Sequence, residues 1–405
     1  MNRIQSFCLL GIVLTLSGLM ACQSSPSTSS SEVPGVTDST IVIGSWGPLS
    51  GPAASWGVVL YGMDAYFQLI NEQGGIHGRK IRFVYKDDAY DPSRTVGAVR
   101  ELVLREEAFA LVGGIGTATG MAVKPFIAEQ GIPWVSPCSG ATAMAFPPEP
   151  NLFSFFPLYQ DEAEIQVNFV LDSLKKTQIA LLYQQDDFGN SARISTERVL
   201  ADRGLTLAAA VPIDPSEGDL TSHLALLQQS GAEVVLLWVG PRHAAILLNR
   251  SKVSGYSPQW VGCTALSDLA IMSDLTDGAW TGAIFGFYGE LPDSDHPDMQ
   301  RYRAALTRFH PDVRWGNFSS GGFMYAEPLV EALQRAGPAL TRESLLASLE
   351  SLHSFQGIGP RLTYGPDLRQ GHRSLYLARA TSASEAVRLT DFLEAQQPLN
   401  ALFQR

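Results

Sequence analysis

The chain has 405 residues, 45% of them hydrophobic and 17% charged, with four cysteines and seven histidines. Its formal net charge is −11 and no Lys/Arg cluster interrupts that excess, which excludes nucleic acid and an anionic bilayer surface as partners of the body. A chain this long exceeds one ordinary hydrophobic core and predicts two domains.

The first element in chain order is a targeting segment. Arg3 precedes the apolar run from Phe7 to Leu16, and Leu19-Met20-Ala21-Cys22 closes it. That run is too short for a bilayer core of about 30 Å, so a cleaved signal peptide over residues 1–21 is expected. Leu-x-Ala-Cys resembles the bacterial lipobox, which implies acylation of Cys22 and an anchor in the cell envelope; the alternative is a chance cysteine at an ordinary cleavage site. Residues 22–39 are rich in Ser, Thr and Pro, the composition of a flexible tether. No later stretch is long and apolar enough to span a membrane.

From Thr40 onward, strands alternate with helices. Strands are predicted at 41–46, 80–86, 109–113, 132–136, 178–183, 206–212, 232–239 and 280–286. Amphipathic helices are predicted at 159–175 and 241–254, among others, and the helix opening at Ala53 buries Val59, Met63, Tyr66, Phe67 and Ile70 at three- and four-residue spacing. This alternation predicts an α/β fold with parallel sheets covered on both faces. The pattern restarts after a Pro-rich stretch from Pro147 to Pro157, and a helix-rich section (295–310, 320–336, 341–351) precedes a final strand pair around 361–380.

Hydrolase, metalloprotease, thioredoxin-like and P-loop motifs are all missing, so no enzyme and no cofactor is expected. Asp293-Ser294-Asp295-His296 offers too few oxygens for a hard cation and reads as a solvated loop. The chemistry lies at strand ends. Gly113 to Gly120 opens a helix, where Thr117 with neighbouring N–H groups is placed to receive a carboxylate; the alternative is an ordinary turn with Thr117 as N-cap. Trp56 either lines a cleft or sits in the core. Trp238 and Arg242, at another strand end, either face the cleft or do not.

Pro48-Leu49-Ser50-Gly51-Pro52, Asn71 to Arg79 and Asp87 to Pro92 together resemble the leucine/isoleucine/valine-binding type of bacterial solute-binding proteins that feed ABC importers. The resemblance runs to about Leu377. It implies two doubly wound lobes joined by three crossovers near 157–159, 288–291 and 358–362. Lobe 1 would comprise 40–157 plus 290–360, and lobe 2 would comprise 158–289 plus 361–405. It also implies a monomer that takes a small-molecule solute outside the cytoplasm and presents it to permease subunits. A ligand-sensing lipoprotein of the same fold is the alternative.

Site residues follow from the same resemblance. Trp56 and Phe188 match aromatics on opposite walls, and Thr117 matches a ligand-binding hydroxyl. Cys138 and Ser139 match backbone positions that bind ligand. Gly140 falls where a threonine is usual, and Ser139 or Thr142 is left to replace that hydroxyl. Thr264 stands where amino-acid binders carry the acidic partner of the ligand ammonium, so the solute is expected to be uncharged or monoanionic, such as an aromatic or other small carboxylate or amide, with Glu162 or Asp187 in reserve for an amine. The family's disulfide is not implied, because the matching positions are Tyr90 and Gly116. Cys138 and Cys263 either pair or stay as buried thiols, and the thiols are expected.

Overall fold

The computed structural model describes residues 33–397. The expected signal peptide, Cys22 and residues 22–32 of the expected tether lie outside the described residues. Residues 33–39, also expected in the tether, instead hold onto the body: Val36 bridges Ile41, and Val42 N donates to Gly35 O at 2.8 Å.

The first sheet contains β1 (Thr40–Gly47), β2 (Lys80–Asp87), β3 (Ala110–Val112), β4 (Trp134–Val135) and β5 (Leu152–Phe153), all parallel, in the order β2-β1-β3-β4-β5. The second contains β6 (Ile179–Gln184), β7 (Ala209–Ile213), β8 (Val234–Trp238), β9 (Gln259–Gly262) and β10 (Ile284–Phe287), parallel in the order β7-β6-β8-β9-β10. Both sheets therefore repeat one winding scheme. In each, connections leave in opposite directions from two adjacent strands, which opens a crevice at the carboxyl ends. The central strands β6 and β8 are buried without alternation, as expected of strands covered on both faces.

Helices α1 (Val58–Glu72), α2 (Pro92–Leu104) and α3 (Thr117–Glu129) accompany the first sheet. Helices α4 (Tyr159–Asp172), α5 (Asp187–Asp202), α6 (Thr221–Gln229), α7 (Pro241–Ser254) and α8 (Leu269–Leu275) accompany the second. The chain then returns: α9 (Pro297–Phe309) and α10 (Asn317–Ala336) pack on α1, and α11 (Arg342–Glu350) packs on α10.

The end of the chain departs from expectation. Of the stretch around 361–380 expected to hold the final strand pair, only β11 (Ser374–Ala380) is a strand, antiparallel to β10; its other partners, β12 (Ala386–Arg388) and β13 (Leu393–Glu394), lie beyond that stretch and are antiparallel to β11. The second sheet is therefore mixed. Residues 361–371, assigned from sequence to the second lobe, stay against the first. Tyr364 packs edge-on to Phe153 at 5.2 Å, and Arg369 Nε donates to Glu149 O at 2.8 Å. The three crossovers run side by side, with Ser154 bridging Gln370 and Glu290 N donating to Ile358 O at 2.8 Å.

Candidate functional site

The carboxyl ends of the two sheets face each other across a narrow cavity that is partly open to solvent. On the first-sheet side, the loop after β1 makes a 3₁₀ turn, Ala54–Gly57, that holds Trp56 half-buried against the Tyr90 ring at 5.2 Å. Gly57 is required there, because a Cβ would fall 2.1 Å from Pro48 O. Tyr90 in turn covers Gly116, whose φ of +112° and 2.4 Å clearance to that ring exclude a side chain. A ring resting on glycine thus occupies the place where the resembling family carries its disulfide.

Gly116, not Thr117, is the N-cap of α3. Thr117 is the first helical residue and is buried. Its Oγ1 lies 2.8 Å from Ser139 Oγ and 3.1 Å from the Tyr159 hydroxyl. Burial pushes the Tyr159 hydroxyl up to about 12. Beside this cluster, Cys138 lines the cavity, and its backbone is spent on Gly114 O and Gly116 N. The threonine-to-glycine departure at Gly140 has a steric reason: a Cβ would meet Pro157 O at 2.2 Å, where the first crossover passes and Tyr159 N donates to Gly140 O at 2.9 Å.

From the second sheet come Phe188 at the start of α5, Tyr159 at the start of α4, and Thr264 just after β9. Trp238 is fully buried and does not line the cavity. It supports Phe188 at 5.6 Å and Tyr159 at 5.8 Å from behind and donates from Nε1 to Gln166 Oε1. The last residue of a five-residue strand still belongs to the layer under the site, which is why Trp238 misses it. Arg242 is turned to Glu217 O at 3.0 Å. Neither reserve carboxylate reaches the cavity. Asp187 is exposed, and Glu162 lies behind Thr264 accepting from its N–H at 2.6 Å and its hydroxyl at 2.9 Å.

Among the described residues, the cavity lining holds no charged side chain. Of the residues singled out from sequence, Trp56, Cys138, Phe188 and Thr264 line it. Thr117 and Ser139 stand one layer back, joined to the lining through Tyr159. Thr142 is not part of the wall, and its buried hydroxyl has no partner among the described residues. Cys138 and Cys263 are both free, and burial pushes both thiols up.

Sequence reasoning missed much of the rest. Phe287 ends β10 and Tyr288 follows it, and like other strand ends they were open to the same inference. Tyr325, whose hydroxyl pairs with that of Tyr288, and Asn317, the first residue of α10, gave no signal. Asn317 lines the cavity at 2% exposure, and neither its Oδ1 nor its Nδ2 has a partner among the described residues.

The two halves touch directly at the mouth. Trp56 Nε1 donates to Ala265 O at 3.0 Å, and Phe318 N donates to Asp268 Oδ2 at 2.9 Å.

Comparison with known proteins gives a consistent picture. A family described as "Periplasmic binding protein" matches residues 40–385. Leu/Ile/Val-binding protein homolog 3 of Brucella melitensis is 27% identical over 205 residues, half of this chain, which spans 55% of that relative's length. Leu/Ile/Val-binding protein BraC3 of Rhizobium johnstonii is 24% identical over 83% of this chain and 91% of its own. A solved substrate-binding periplasmic protein from Ralstonia solanacearum superposes with a TM-score of 0.79 at 26% identity, covering 86% of this chain and 99% of that one.

Proposed function

The chain belongs to the periplasmic binding protein family, and on that premise we propose that it captures a small organic solute between its lobes and hands it to the membrane subunits of an ABC importer. The carrying observation is the aromatic-walled cavity at the facing carboxyl ends of two identically wound sheets, bonded shut at its mouth by Trp56–Ala265 and Asp268–Phe318. Ligands of open α/β sheets bind outside those strand ends. Burial between two lobes can supply the roughly 5.5 kcal/mol of differential affinity needed to shift a two-state equilibrium from 1:99 to 99:1.

The solute is not a zwitterionic α-amino acid. Thr264 stands where an ammonium would need a carboxylate, and a buried unpaired charge is expensive. The relatives' names speak of leucine, isoleucine and valine; the lining speaks for something less charged. Acylation at Cys22 would hold the protein at the outer face of a membrane, with residues from 23 onward as a leash. Its partners are then the solute and the permease, and it acts as a monomer.

Native mass spectrometry of protein purified from its own envelope tests the reading, together with uptake by a deletion strain. A discrete adduct of small-molecule mass, and loss of uptake of that compound, are the expected results. A solute at a hundred times its Kd should add about 2.7 kcal/mol of stability. Tight leucine or valine binding would refute the solute assignment. Unchanged uptake would point to a sensor of the same fold.

A further inference from the structure

The polar groups around the cavity fall into two sets that differ in whether the protein already satisfies them. In the first set, the Thr117 hydroxyl is shared between Ser139 and Tyr159. The hydroxyl at the start of α3 is thus already satisfied from within the chain. Thr264 likewise directs both its N–H and its hydroxyl at Glu162. A carboxylate entering here meets no free side-chain donor in this set and no cation in the lining.

The second set includes Asn317. Its carboxamide is buried at 2% exposure, lines the cavity, and has both Oδ1 and Nδ2 unpartnered among the described residues. Buried side-chain amides are ordinarily hydrogen-bonded, so a donor and an acceptor left open side by side call for a complementary group. Phe318, Met324 and the rings of Tyr288 and Phe156 are among the apolar groups that share the lining with it.

We propose that Asn317 is the specificity-determining residue of this cleft and that the solute is an uncharged, largely apolar ring compound bearing a donor and an acceptor in cis, as in a primary carboxamide or a lactam. Two N–H···O bonds close between the two amides while the ring lies among the aromatic walls. A carboxylate answers only Nδ2 and confronts Oδ1 with negative charge. An ammonium answers only Oδ1. This inference rests on the reading of the cleft as a solute site.

The test measures binding of benzamide, benzyl alcohol, benzoate and L-leucine to the purified full chain, by calorimetry and thermal shift. Benzamide should bind at least about tenfold more tightly than benzyl alcohol, which lacks the paired edge, and the two charged compounds should not saturate. Asn317→Leu should bring the benzamide-to-benzyl-alcohol ratio close to one. It should also raise the melting temperature of the unliganded protein, because an unpaired buried amide is replaced by an apolar side chain, whereas removal of a structural asparagine would lower it. Asn317→Ala reads the same ratio if leucine disturbs the packing. Benzoate or leucine binding as tightly as benzamide, or an unchanged ratio in both variants, would overturn the assignment. So would failure of benzamide to bind, while solute capture itself is judged separately by the mass of the copurified compound.

Discussion

Glu162 is a carboxylate surrounded by donors in a place that penalises charge. Thr264 N at 2.6 Å, Thr264 Oγ1 at 2.9 Å and Gln166 Nε2 at 3.1 Å all point at it, which favours the ionised form. Burial opposes them and wins, pushing the carboxyl up to about 8 from an ordinary 4.5. Between those values the folded state holds a proton that the unfolded state has lost, so this group's contribution to stability is intact near pH 5 and falls as pH rises to 8. Glu327, also pushed up to about 8 by burial, acts in the same direction, so the informative quantity is a difference between variants. Glu162→Gln keeps Oε1 as acceptor for Thr264 N and sets an amide against Thr264 Oγ1, which can turn to accept. The variant should match the parent at pH 5 and exceed it by roughly 3 kcal/mol at pH 8. Urea unfolding at the two pH values measures this, and a constant offset would mean that the three donors keep Glu162 ionised.

At the scale of elements, the wall that carries Asn317 depends on two helices meeting backbone to backbone. A Cβ on Gly322 of α10 would fall 2.2 Å from Val59 O and 2.6 Å from Met63 N of α1, and one on Gly62 would fall 2.0 Å from Ser319 O. Replacing an interior helical glycine by alanine ordinarily gains about 1 kcal/mol. Here the sign should reverse: Gly322→Ala forces the helices apart and should cost about 2 kcal/mol, as overpacking typically does. A stabilised variant in chemical denaturation would show that the contact can relax. Such contacts mark the limit of what the sequence reveals. Apolar runs such as Ile179–Tyr183 and the pattern of α7 are local signals, and they located their elements closely. Trp56, Cys138, Phe188 and Thr264 were legible as wall residues through the family resemblance, and the winding of the sheets, which presents strand ends to the crevice, is the physical reason they lie there. The mixed edge at β11 depends on pairing such as Phe287 with Tyr376, and the attachment of residues 361–371 to the first sheet on the bridge from Ser154 to Gln370; in each the partners are far apart in the chain, and no local pattern exists for either. Asn317 was invisible for the same reason: an amide at a helix start is ordinary until a distant chain buries it.

The molecule as a whole is held closed by contacts of unequal worth. Arg314 and Asp274 pair at 2.6 Å across the mouth, but their side chains are 61% and 60% exposed, and such pairs contribute little. Asp268 is 2% exposed and does two jobs. One oxygen caps its own helix α8 through Ile271 N at 3.1 Å; the other accepts from Phe318 N at 2.9 Å, at the start of α10 in the opposite half. That approach needs Gly316, since a Cβ there would lie 2.5 Å from Oδ2. If the lobes part by hinge motion, the cap on α8 survives and only the bond to Phe318 is lost. Asp268→Asn therefore separates the two roles: Oδ1 still caps α8, while an amide N–H group now confronts the Phe318 N–H in the closed form alone. Affinity for the solute identified by mass spectrometry should fall at least about tenfold, and X-ray scattering should show less contraction on adding it. Asp274→Ala should change affinity by less than about twofold. Equal losses in the two variants, or normal contraction of Asp268→Asn, would mean that closure is set by the solute's own contacts and that Asp268 serves only α8.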